Sequence, residues 1–130
     1  MVRSLIIWGA IFGLTGVILG AMGAHALKAV LNADQLASFN TGVRYQLLHA
    51  IVLLVLGTKL GTIEAKTRFR IGALMVIGVI LFSFSIYGLA TIPAHGMEGI
   101  KALGPVTPIG GLLMIAGWTW MLISAIRTKA

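Results

Sequence analysis

The chain has 130 residues, 58% hydrophobic and 10% charged, with a mean hydropathy of +1.02. Soluble domains carry roughly 25% charged residues, so ten Lys and Arg with three Asp and Glu are too few to coat a water-soluble core, and the length bounds one domain, 1–130. The net charge of +7 has no basic stripe interleaved with aromatic residues, so it reads as membrane topology and attraction to anionic lipid, not as nucleic-acid binding.

The first uncharged interval, Ser4 to Leu27, predicts a membrane helix over 4–24. Gly9, Gly13, Gly16 and Gly20 recur at steps of four, three and four, with Gly23 near the extension of the same stripe. In lipid, such a stripe lets another helix backbone approach closely. It predicts a helix-packing seam inside the bundle, with a subunit interface as the alternative. Trp8 fits an interfacial anchor. The basic start, apolar run and Ala24-His25-Ala26 also fit a signal peptide, but the apolar run exceeds the usual length of roughly 7–15 residues, and intact-chain mass separates the two readings.

In the stretch that follows, Asn32 and Gln35 have the spacing of a capping box. Leu36, Phe39, Val43 and Leu47 continue at helical spacing, predicting a short interfacial amphipathic helix that runs into the second span or bends toward it, with Asn40-Thr41-Gly42 as the expected bend. That span is placed at 43–60, with Arg44 and Lys59 extending their stems to the headgroups. Within it Gln46 and His49 enter lipid at a cost unless they face protein or water, so both are expected to point inward, with Tyr45 one turn from His49.

The third span is predicted over 71–92. Ser83, Tyr87 and Thr91 follow four-residue steps as a polar rail, and Ser85 with Gly88 forms a second small-residue face. Hydroxyls can return to helix carbonyls, so the rail need not conduct anything. The fourth span is predicted over 107–126, opened by Thr107 or Pro108, with Gly110 and Gly111 permitting close packing and Trp118 and Trp120 read as anchors at its cytoplasmic end.

Arg3, Lys59, Lys66, Arg68, Arg70, Arg127 and Lys129 fall on one face, against Lys28, Arg44 and Lys101 on the other. The positive-inside rule then places both termini in the cytoplasm, with a bacterial plasma (inner) membrane as the expected location. His25 and His95 are expected near the outer face and His49 enters from it, which makes a three-histidine metal site geometrically conceivable. No pair of histidines lies three or four residues apart and there is no cysteine, so no metal and no cofactor is predicted.

Four ordered blocks, "LGAMGAHAL" at 19–27, "TGVRYQLLHA" at 41–50, "LFSFSIYGLA" at 81–90 and "VTPIGGLLMIAGW" at 106–118, resemble a small four-helix membrane family of unknown function. It includes transmembrane protein 256 and the bacterial proteins of the "domain of unknown function 423" group. The resemblance implies characteristic residues at Gly20, Gly23, His25, Gly42, Tyr45, Gln46, His49, Ser83, Ser85, Tyr87, Thr107, Pro108, Gly110, Gly111 and Trp118. Ala26 and Phe84 stand where that family often has glycine, and His95 lies in a longer third connection than its pattern. The resemblance implies a four-span protein and transfers no activity. It favours a polar cluster of His25, Tyr45, Gln46 and His49 over a three-histidine site.

The expected fold is therefore an all-α integral membrane four-helix bundle with a short interfacial helix between spans 1 and 2. Its candidate polar cluster is His25, Tyr45, Gln46, His49, Ser83, Ser85 and Tyr87. The leading functional reading is a non-enzymatic membrane protein that is structural, lipid-interacting or partner-binding, with membrane lipids and a homo-oligomer as expected partners. The alternative is an oligomeric transporter or channel for a small solute, ion or proton, built around His49 and Tyr87. Enzymology ranks last, because Asp34, Glu64 and Glu98 all fall outside the predicted membrane core and leave no carboxylate to orient the histidine.

Overall fold

The computed structural model describes residues 1–58, 61 and 63–128, and the elements it forms among them are helices joined by turns. They are α1 (Arg3–Ala24), α2 (Ala33–Gly57), α3 (Ala65–Ala90), the short α4 (Ile92–His95) and α5 (Val106–Arg127), with 3-10 segments at Leu27–Ala29 and Glu98–Leu103. Of these, α1, α2, α3 and α5 belong to stretches long and apolar enough to cross a membrane. At 1.5 Å per residue, α1 and α5 each extend about 33 Å, close to the thickness of a hydrocarbon core. Two helices begin earlier than the charge pattern suggests, α3 at Ala65 and α2 at Ala33. The predicted end of the second span at 60, with Lys59, lies outside the described residues, as does Lys129.

The short extra helix is not where the sequence suggested. No interfacial helix precedes span 2: residues from Ala33 onward are already the first turns of one continuous α2. Asn32 and Gln35 do form the capping box, each side chain accepting from the other's backbone N–H at 2.9 and 3.0 Å. The expected bend at Asn40-Thr41-Gly42 is absent because these residues serve packing. Thr41 returns its hydroxyl to the Ala37 carbonyl at 3.0 Å, Phe39 is buried against the Tyr87 ring with centroids 5.0 Å apart, and a Cβ at Gly42 would come within 2.7 Å of that ring. The extra helix is α4, between spans 3 and 4. Pro93 sits in its first turn and Gly96, in the left-handed region at φ 69°, ends it.

Consecutive spans run antiparallel. Helix α1 packs along α2 and α5 along α3, and the two pairs join mainly through α2 and α3. The glycine stripe of α1 only partly serves the first seam. A Cβ at Gly9 would lie 2.9 Å from the Ala50 carbonyl oxygen, at Gly16 2.6 Å from Leu47 and at Gly23 2.9 Å from Asn40. Gly20 would meet Val43 at 3.4 Å, and Gly13 has nothing within 4 Å. The true seam is thus a seven-residue spacing, Gly9, Gly16 and Gly23, which keeps each contact on the face toward α2. The second seam pairs Gly78 with Gly110, whose added Cβ would meet the Phe82 backbone nitrogen and the Gly78 carbonyl.

Arg68, counted above among the basic residues of one face, is buried. Its guanidinium donates to the carbonyls of Leu56 (2.7 Å), Ile63 (3.2 Å) and Thr58. These groups terminate α2 and shape the connection to α3, so the cation satisfies carbonyls that a helix end leaves free. Arg68→Ala is expected to lower thermal stability in detergent by about 3 kcal/mol, since charged hydrogen bonds contribute about 1.5–3 kcal/mol each and are not additive. Arg68→Lys recovers less than half, because one ammonium lacks the guanidinium's fork of donors.

Candidate functional site

Two apolar clusters define the interior. One contains Leu5, Phe12, Leu53, Leu56, Ile71, Met75, Val79 and Met114, and the other contains Leu27, Leu31, Phe39, Val43, Tyr87 and Ala90 toward the opposite end. Polar side chains occupy the layer between them. Gln46 is fully buried; its Nε2 donates to the Phe12 carbonyl at 3.0 Å and to Thr15 Oγ1 at 2.7 Å, and its Oε1 accepts from the Tyr87 hydroxyl at 2.7 Å. Thr15 passes its own proton to the Ile11 carbonyl at 2.8 Å. One amide on α2 therefore ties α1 to α3.

The serines extend this stitching. Ser83 Oγ donates to the Gly42 carbonyl at 2.8 Å, linking α3 to α2. Ser85 Oγ donates to the Phe82 carbonyl at 2.9 Å and lies 2.6 Å from Thr107 Oγ1. Having one proton, Ser85 must accept from Thr107, which links α3 to α5. Ser83 lies within a π-helical turn at Ile80–Phe84 and Ser85 directly follows it, and the extra residue per turn re-aims them toward different neighbours. Thr91 returns its hydroxyl to the Tyr87 carbonyl at 2.6 Å and joins no network.

His49 is 1% exposed. Its Nε2 receives the Trp118 indole N–H at 3.1 Å, and its Nδ1 lies 2.8 Å from the Tyr45 carbonyl. Indole nitrogen only donates and a carbonyl only accepts, so the network assigns neutral His49 the Nδ1–H tautomer. Nitrogen-15 NMR of the labelled protein should show Nε2 as the unprotonated, accepting nitrogen, and a proton on Nε2 would contradict this assignment. Beside this pair lies a cleft of about 290 Å³ lined by Tyr45, Leu48, His49, Phe82, Gly111, Met114, Ile115 and Trp118. Leu48 and Ile115 on its rim are exposed, so it opens sideways, toward lipid.

Of the residues singled out in the sequence, Gln46, Ser83 and Tyr87 share one layer, Ser85 lies one helix further and His49 pairs with Trp118. Tyr45 is exposed and contributes its backbone carbonyl and its ring, stacked on His49 with centroids 6.3 Å apart. His25 is not brought in: it is exposed at the end of α1. His95 lies beyond α3, its Nε2 3.0 Å from the Gly88 carbonyl and its Nδ1 accepting from Met97 N–H. Among the described residues no group of three His, Asp or Glu could hold a metal ion, and Asp34, Glu64 and Glu98 are all exposed. Thr15 and Trp118 are the partners that sequence reasoning missed. Trp118 is no interfacial anchor, since it falls near the middle of Val106–Arg127, and its position in the last quoted block was the available signal.

Four spanning helices around amide, imidazole, phenol and hydroxyl groups, with no carboxylate among them, define a small multi-pass membrane protein without a catalytic constellation among the described residues. The chain belongs to the DUF423/UPF0382 family. Residues 19–111 match the family described as "Protein of unknown function (DUF423)". A UPF0382 membrane protein of Staphylococcus haemolyticus is 37% identical, over 96% of this chain and 97% of its own. One of Schizosaccharomyces pombe is 41% identical over 90% and 98%, and a UPF0382 inner membrane protein of Escherichia coli K12 is 34% identical over 98% and 92%. No solved structure matches the chain.

Proposed function

We propose that this is a non-enzymatic structural and lipid-interacting membrane protein in which the polar cluster holds the helices together. The supporting observation is saturation: among the described residues no buried side-chain nitrogen or oxygen lacks a hydrogen-bond partner. Both N–H groups of Gln46 and both ring nitrogens of His49 are consumed inside the bundle. A path for ions or protons needs donors and acceptors free to exchange partners with its cargo, and these are committed to partners within the bundle. Exposed apolar residues such as Leu14, Val17, Leu112, Ile115 and Leu122 suit α1 and α5 to lipid. The half-exposed Gly13, with open space beside it, is the position that fits a homo-oligomer contact.

The proposed setting is a bacterial inner membrane with the start of α1 and the end of α5 in the cytoplasm. Arg3, Lys66, Arg70 and Arg127 at that end support it, against Lys28 and Lys101 at the other, with Arg44 falling near the middle of α2. The Escherichia coli relative's name as an inner membrane protein agrees. The alternative, an oligomeric carrier or channel, draws on the cleft that reaches His49 and Trp118. Liposome flux separates the two. The structural reading expects proton, divalent-metal and small-anion flux equal to that of protein-free vesicles. Flux above that background, lost in His49→Ala, overturns it.

A further inference from the structure

A second groove lies between α1 and α3, on a face that α5 does not cover. It has a volume of about 300 Å³ and is walled by Leu5, Trp8, Phe69, Ala73, Val76 and Ile80, with Ser4 and Ile77 at its edges. From Phe69 to Ile80 it runs about 16 Å along α3, which is about half of a hydrocarbon core and therefore the reach of one acyl chain in one leaflet. It begins at the end of the molecule where α1 and α3 both start, and neither helix has a side-chain cap at its N-terminus.

The mouth of this groove is cationic. Lys66 precedes Phe69 by three residues and Ala73 by seven, which puts it on the groove face of α3, and Arg70 flanks the same face, three residues before Ala73. Both side chains are exposed, and helical side chains lean toward the N-terminus, here toward the headgroup layer. Among the described residues, the Asp or Glu at this end is Glu64, at the N-cap of α3. Among the described residues the ion pair is Lys101 with Glu98, at the opposite end.

We propose that this groove holds one anionic phospholipid, its acyl chain against Trp8, Ala73 and Val76 and its phosphate on Lys66 and Arg70. Charge complementarity selects this occupant: an apolar trough one leaflet deep ends in cations that make no ion pair among the described residues and in two helix N-termini that favour negative charge. The inference rests on the lipid-interacting part of the function proposed above. It is independent of the polar cluster, so its failure would leave the flux test of that cluster untouched.

Native mass spectrometry of the full chain, released from micelles carrying equal phosphatidylglycerol and phosphatidylcholine, reads it directly. A basic side chain near the surface contributes about five-fold toward anionic lipid, so Lys66 and Arg70 together predict a preference of about 25-fold for one retained phosphatidylglycerol. Lys66→Gln with Arg70→Gln should abolish that preference, leaving the two lipids retained about equally, with phosphatidylcholine retention unchanged. Ile77→Trp, whose added bulk fills the groove edge, should lower retention of both lipids about ten-fold, while Lys28→Gln at the other end changes neither. All four replaced side chains are exposed, so loss of the fold does not enter. Equal retention of the two lipids by the unaltered chain overturns the proposal. So does a preference that survives the double substitution, or retention indifferent to Ile77→Trp.

Discussion

Gly110→Ala should lower the unfolding free energy by about 3 kcal/mol, the upper end of what overpacking a tight interior costs. The added methyl would meet the backbone of Phe82 and the Gly78 carbonyl, neither of which can rotate away as a flexible side chain does. Relief requires α5 to back off α3, which would also stretch the contact of Thr107 with Ser85. Gly13→Ala is the control. Nothing lies within 4 Å of the new atom, so the helix gains alanine's propensity and stability should rise by about 0.5 kcal/mol. Thermal unfolding of both variants in mixed micelles checks the contrast.

Gln46→Leu should also cost about 3 kcal/mol, though by a different route. The size is nearly conserved, but hydrogen bonds to Phe12, Thr15 and Tyr87 are lost, each contributing about 0.6 to 1.7 kcal/mol between helices in a membrane. The Tyr87 hydroxyl is then left buried without its acceptor, at about 1–3 kcal/mol. Gln35→Ala, which removes half of the capping box at the exposed start of α2, should cost about 1 kcal/mol. Denaturant titration of the two variants places the amide that matters in the middle of the bundle.

How much of this could be read in advance depended on the range of the interaction. Uncharged intervals located all four spanning helices, because charge is costly in hydrocarbon wherever the chain folds. The Asn32 and Gln35 box was readable because its partners are three residues apart. That Gln46 and His49 would point inward followed from the same cost, but their partners on α1, α3 and α5 carried no local pattern. Asn40-Thr41-Gly42 looked like a bend because those residue types favour turns, whereas Gly42 is small so that Tyr87 can approach. Trp118 was misread because the interfacial preference of tryptophan depends on depth, which the composition of a span does not fix. The π turn at Ile80–Phe84 and the carbonyls held by Arg68 are likewise tertiary features. Pro93 and Gly96, by contrast, are ordinary start and stop signals, and α4 was legible in them.

The central claim is that the buried polar layer joins helices together. A double-mutant cycle on Gln46→Leu and Tyr87→Phe, read by equilibrium unfolding in micelles, tests it most directly. The hydroxyl and the amide share one bond of 2.7 Å, so the account predicts a coupling energy of about 1 kcal/mol. Adding Tyr87→Phe to Gln46→Leu should then cost almost nothing further. Additive effects, with zero coupling between the two positions, would contradict it.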